Sequence, residues 1–139
     1  MEHHAPEQSA AAKALHRRSA MSGRILVVDD DRDIRDLVAI KLESAGHEVV
    51  TRADGSQALD AGLEGGWDVI VLDVMMPGMS GIDVLRALRD RGDVTPVILL
   101  TARGQEKDIE AGFAAGADHF VTKPFSPRAL LARVTAAIG

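Results

Sequence analysis

Cysteine is absent from this 139-residue chain. Disulfides, thiolate metal sites and cysteine nucleophiles are therefore excluded, and a reducing compartment suits it. Tyrosine is absent too, and aromatics make up only 3% of the residues, so any core has to be aliphatic. No apolar run approaches the roughly 20 residues that a membrane helix requires. Residues 1–20 lack the apolar stretch of a secretory signal. Positive charge is in deficit: 16 Lys and Arg against 21 Asp and Glu leave a net charge of −5. That argues against nucleic-acid binding by this domain, which depends on neutralising phosphates. A cytoplasmic location without membrane attachment is expected.

What is present is ordinary for a globular protein: 46% hydrophobic and 27% charged residues. The length fits one domain, or one domain plus a tail, with enough chain to bury a core. The first 20 residues stand apart. They hold three of the five His and sustain no apolar periodicity. A short helix over Ala10–Arg18 has the composition but would be marginal alone. Residues 1–20 are expected to be a disordered tail or an expression remnant, with Met21 as a candidate natural start and 21–139 as the folded domain.

From there the pattern alternates. Arg24–Val28 reads as a buried strand that runs into Asp29-Asp30-Asp31. Ile34, Leu37, Val38 and Leu42 follow at helical spacing, stopped by Gly46. Glu48–Thr51 is a second strand, and Asp54-Gly55 a turn. Ala58, Leu59 and Leu63 mark a second helix. Asp68–Leu72 is a third strand, an apolar run ending in Asp73 and a loop with Pro77 and Gly78. Gly81–Arg91 is amphipathic. Thr95–Leu100 is a fourth strand, ending at Thr101. Lys107–Ala115 is helical, with Ile109 and Phe113 on one face. Asp118–Thr122 is a short fifth strand before Lys123-Pro124. Ser126 caps a last helix with Pro127 at its first position. Five strands alternating with five helices predict a doubly wound parallel sheet, covered on both faces and joined by right-handed crossovers.

In such a sheet every strand points its carboxyl end to one rim, where ligands bind. Asp29 and Asp30, Asp73, Thr101 and Lys123 all stand at strand ends. They should gather there, while at least one acid of the Asp29-Asp30-Asp31 run caps the following helix. Clustered carboxylates call for a cation. An oxygen-only donor set points to Mg²⁺, with Mn²⁺ as the alternative. A carboxylate can also attack phosphorus to give an aspartyl phosphate, with a metal and the Lys123 ammonium neutralising the transferred group.

Four stretches carry a resemblance. They are Ile25-Leu26-Val27-Val28-Asp29-Asp30-Asp31, the run from Val71 through Asp73 to Gly81, Leu99-Leu100-Thr101-Ala102, and Gly116 through Lys123-Pro124 to Phe125. Together they resemble the receiver (CheY-like) domain of two-component response regulators, over about Gly23 to Ile138. The resemblance implies the flavodoxin/CheY-like (βα)₅ fold with strand order 2-1-3-4-5. It implies Asp73 as phosphoacceptor, and Mg²⁺ bound by Asp30, Asp73 and the Met75 backbone carbonyl, with Asp29 acting mainly through water. Lys123 would pair with Asp73 and then with the phosphoryl group. Thr101 and Phe120 would be the switch residues, and the Lys123–Pro124 bond would be cis. The implied partners are a histidine kinase or phosphotransfer protein and a downstream effector domain or protein. The domain would catalyse its own phosphorylation and dephosphorylation while serving mainly as a signalling switch.

Some positions depart from the family's habits. Phe120 stands where Tyr is common, so its rotation has to be driven by packing alone. His119 and Ala129 stand where the winged-helix transcription-factor branch often has acids, which removes partners for Arg133 in that branch's dimer. A monomer and a phosphorylation-dependent dimer both remain open. Met75 and Arg103, two residues past Asp73 and Thr101, would flank the path of the hydrolytic water, and the bulk of Met75 is expected to slow phosphate loss. Two other functions fit parts of the pattern. Asp29-Asp30-Asp31 contains the Asp-x-Asp spacing of haloacid-dehalogenase-like phosphohydrolases, although the chain is short for one. A pseudo-receiver that keeps the fold without phosphorylation is the other.

Overall fold

A computed structural model describes residues 23–139; the expectations for residues 1–20 and Met21 lie outside the described residues. Five strands and five helices alternate: β1 (Arg24–Val28), α1 (Arg32–Ser44), β2 (Glu48–Arg52), α2 (Gly55–Glu64), β3 (Val69–Asp73), α3 (Gly81–Asp90), β4 (Val97–Ala102), α4 (Glu106–Ala115), β5 (His119–Lys123) and α5 (Pro127–Ile138). All strands pair in parallel, in the order β2-β1-β3-β4-β5.

The three inner strands explain their own composition. Buried on both faces, β1, β3 and β4 have no place for alternating polar residues and read as continuous aliphatic runs. Period two then splits them between two cores. Leu26, Val28, Ile70, Leu72, Val97 and Leu99 face α2, α3 and α4. Ile25, Val27, Val69, Val71, Ile98 and Leu100 face α1 and α5. Each such side chain removed from water contributes roughly 1.5–3 kcal/mol before entropy is charged against it.

Several helix starts are set by side chains. Asp31 accepts from the amides of Asp33 and Ile34, so it is the acid of its run that caps α1. Asp54 caps α2, and Gly55, expected in a turn, is instead the first residue of that helix. Ser80 and Asp83 form a reciprocal capping box on α3. Ser126 caps α5 with Pro127 behind it. The N-terminus of α4 has no side-chain cap.

Three strands sit one or two residues later than their apolar runs suggest. Asp68 precedes β3 because its carboxylate accepts the Arg24 amide at 2.7 Å, and Asp118 precedes β5 because its carboxylate accepts the Val97 amide at 2.8 Å. Ile109 and Phe113 do share a face of α4, but Phe113 is 52% exposed. Gly112 is the buried residue of that helix and faces the sheet, with Ala111 and Ala115 beside it.

Candidate functional site

The carboxyl ends of β1, β3, β4 and β5 form one rim, and it is unlike the strand bodies. Asp29 is fully buried, Asp73 is 3% exposed, and Thr101 is buried. Asp30 is exposed. One carboxylate oxygen from each of Asp29, Asp30 and Asp73 lies within 4.8 Å of the others. Lys123 Nζ reaches this cluster from β5, 2.8 Å from Asp29 Oδ2 and 3.4 Å from Asp73 Oδ2.

Local structure holds these groups in place. Asp29 Oδ1 accepts the Asp31 amide at 2.9 Å, and the Asp29 carbonyl accepts from Arg35 on α1 at 2.9 Å. Asp73 Oδ1 accepts the Met75 amide at 3.4 Å. The Val74 amide donates to Leu100 and the Gly81 amide to Val74, which folds the loop back over the end of β3. The Lys123–Pro124 bond is cis, as expected.

The charges are frustrated. Burial pushes the Asp73 carboxyl up, the neighbouring Asp29 charge pushes it further, and Lys123 only partly offsets them, so its pKa rises from 3.8 to about 7. Burial works against the Lys123 ammonium, but the close Asp29 contact and the charges of Asp73 and Asp29 outweigh it and hold its pKa above the ordinary value. Asp29 Oδ2 is fully buried, and Lys123 meets it as a charge without hydrogen-bond alignment. A buried acceptor lacking an aligned donor, beside two more carboxylates, is a donor set that fits a hard divalent cation.

The rim brings Asp29, Asp30, Asp73 and Lys123 together and leaves the other expected members further out. Thr101 is buried at the end of β4 but belongs to the opposite sheet face, in line with Val97 and Leu99. Its hydroxyl bonds the Ala102 carbonyl at 3.5 Å rather than a carboxylate. Phe120 is half-buried on that same face, paired with Leu99. The Met75 side chain is 65% exposed. Asp31, the second acid of the Asp-x-Asp spacing, uses its Oδ1 to cap α1.

Gly81 is a site residue whose role the sequence does not disclose. A Cβ there would lie 2.1 Å from the Asp73 carbonyl oxygen, so only glycine lets α3 start against the end of β3. Its φ is not in the left-handed region, so the reason is space alone, and space is not written in a motif.

Comparison with known proteins agrees with this geometry. Residues 25–135 match the family model described as the response regulator receiver domain. The chain belongs to the response regulator receiver domain family. It is 47% identical over 116 residues to the uncharacterized transcriptional regulatory protein YkoG of Bacillus subtilis, covering 84% of this chain and 51% of that protein. It is 50% identical over 113 residues to the transcriptional regulatory protein CpxR of Escherichia coli, covering 81% of this chain and 48% of CpxR. The receiver domain of Francisella response regulator 1452 superposes with a TM-score of 0.79 at 37% identity, covering 84% of this chain and 96% of that one. This receiver domain therefore spans about half the length of these curated relatives. None of its described helices is long and apolar enough to cross a membrane.

Proposed function

We propose that this receiver domain is a phosphorylation-gated switch with Asp73 as its phosphoacceptor. The observation that carries this is the placement of a buried Asp73 at the end of β3, with the Asp29 and Asp30 oxygens within 4.8 Å and the Lys123 ammonium at 3.4 Å. A carboxylate oxygen of Asp73 attacks phosphorus, the donor's P–N bond breaks, and the donor imidazole leaves with the electron pair. The donor is a histidine kinase or phosphotransfer protein. Asp30, Asp73 and the Met75 carbonyl would hold Mg²⁺ directly, and Asp29 would hold it through water. The bound cation supplies charge neutralisation for the phosphoryl oxygens.

Lys123 leaves its contact with Asp29 to follow the new charge on Asp73. Thr101, whose present hydrogen bond is long, turns toward a phosphoryl oxygen, and Phe120 moves behind it. The changed face of α4, β5 and α5 then meets an effector domain or protein. Such output, a cytoplasmic location, and 21–139 as one receiver unit complete the proposal. Arg133 is exposed and has no ion-pair partner among the described residues, which favours a monomer until a partner supplies one.

The test is labelling by acetyl phosphate with Mg²⁺. Label should appear on Asp73 and vanish in Asp73→Asn. Label that survives Asp73→Asn and is lost in Asp29→Asn would move the nucleophile to β1 and support the phosphohydrolase. No spectral response to Mg²⁺ or beryllofluoride would leave only the pseudo-receiver.

A further inference from the structure

The Phe120 ring is held by a second ring. Its centroid lies 4.8 Å from that of Phe113, with the planes tilted by 59°. This tilted arrangement, intermediate between stacked and edge-to-face, lies in the distance range of favourable aromatic pairs. Phe113 stands on α4 with half its surface in solvent, an unusual place for the partner of a half-buried residue. Gly112 lies beneath. A Cβ there would fall 2.3 Å from Phe120 Cζ and 2.6 Å from Leu99 Cδ1, both far inside contact distance. Its φ is not in the left-handed region, so the backbone does not demand glycine; the Phe120 ring does.

Leu99 ties this seat to the rim. It pairs with Phe120 across the β4–β5 ladder, and Thr101 lies two residues on, on the same sheet face. Packed groups thus run from Leu99, two residues before buried Thr101, to Phe120 and end at Phe113 on the surface. Among the five described helices, they end on the one that starts without a side-chain cap. Phe120 has no hydroxyl to fix it by a hydrogen bond, so ring contacts and the Gly112 shelf have to select its position.

We infer that Phe113 is a positioning residue of the switch: it holds the Phe120 ring in its seat over Gly112 and carries the ring's displacement to the exposed face of α4. The inference rests on the reading of Asp73 as phosphoacceptor, and its test separates the two.

The chain has three Phe, so protein labelled with 4-fluorophenylalanine gives three ring resonances, assigned by Phe113→Leu, Phe120→Leu and Phe125→Leu. Mg²⁺ and beryllofluoride are then added, and the fluorine signal of bound beryllofluoride reports occupancy independently. At saturation the Phe113 and Phe120 resonances should move together. In Phe120→Leu the Phe113 resonance should stay still while bound beryllofluoride persists. Gly112→Ala should displace both resonances with no ligand present. Phe113→Leu should change beryllofluoride affinity by about three- to tenfold through the altered balance of ring positions, and Phe113→Tyr, which keeps the ring, should restore it. A Phe113 resonance that never moves, or moves equally in Phe120→Leu, overturns the inference and leaves the phosphoacceptor reading intact. Absence of a bound beryllofluoride signal overturns both.

Discussion

Lys123 Nζ lies closer to Asp29 Oδ2, at 2.8 Å, than to Asp73 Oδ2, at 3.4 Å. The ammonium is thus drawn toward the fully buried acid, and Asp73 is left partly uncompensated. Burial is the main cause that pushes the Asp73 carboxyl up to about 7, the Asp29 charge adds to it, and Lys123, shared unequally, only partly offsets them.

The first prediction tests that balance. Asp29→Asn removes the repelling charge and frees Lys123 for Asp73, so the Asp73 titration should fall from about 7 toward the ordinary carboxylate range. Lys123→Gln should raise it. Carboxyl ¹³C NMR titration of metal-free protein reads both. An Asp73 midpoint that is the same in all three proteins would refute the shared-cation account.

The second concerns stability. The folded pKa of Asp73 lies above its unfolded value of 3.8. Between that value and about 7 the folded state holds a proton that the unfolded state has lost. Stability is therefore present at low pH and is lost as pH rises through the window. Asp73→Asn should stabilise metal-free protein at about pH 8, by on the order of 2 kcal/mol, and have much less effect near pH 4. Urea denaturation at the two pH values checks this. Equal effects at both would contradict it.

His47 works with the opposite sign. It is buried, and its Nδ1 accepts the Gly23 amide at 3.0 Å. Burial lowers its pKa, with the Asp68 charge only partly opposing. The folded state favours neutral imidazole, so this contribution is intact above 6.5 and falls away as pH drops toward the lowered folded value. In an Asp73→Asn background, which silences the acid, stability should decline on acidification from about pH 7.5 to about pH 5.5. His47→Gln should flatten that decline in thermal melts.

Gly81→Ala places a Cβ 2.1 Å from the Asp73 carbonyl oxygen. Backbone cannot give way cheaply, so a loss of about 1–3 kcal/mol is expected, together with slower phosphorylation of a displaced Asp73. Gly78→Ala is the control: it carries a φ of 76° but has open space around it, so it should cost stability without moving the carboxylate.

Met75 has an exposed side chain two residues from Asp73, the proposed phosphoacceptor. Met75→Asn should shorten the lifetime of the aspartyl phosphate, measured by loss of label after the donor is removed. An unchanged or longer lifetime would mean the side chain is loop surface only.

The alternating parallel fold was legible in the residues alone, because doubly buried strands have to be written as aliphatic runs and helix starts are marked by the Asp29-Asp30-Asp31 run and by Ser126-Pro127. Parallel strands send every carboxyl end the same way, which brings Asp29, Asp30, Asp73 and Lys123 to one rim, while the Thr101 hydroxyl, expected there too, bonds the Ala102 carbonyl instead. Tertiary structure alone decided how those groups share charge. Lys123 sits closer to Asp29, burial and the Asp29 charge push the Asp73 carboxyl up, and the Thr101 hydroxyl bonds the Ala102 carbonyl rather than a carboxylate. The roles of Gly81 and Gly112, and the pairing of Phe113 with Phe120, were equally invisible beforehand. Each depends on ångström-scale distances between segments far apart in the chain, set by helix–sheet packing, and residue spacing carries no record of them.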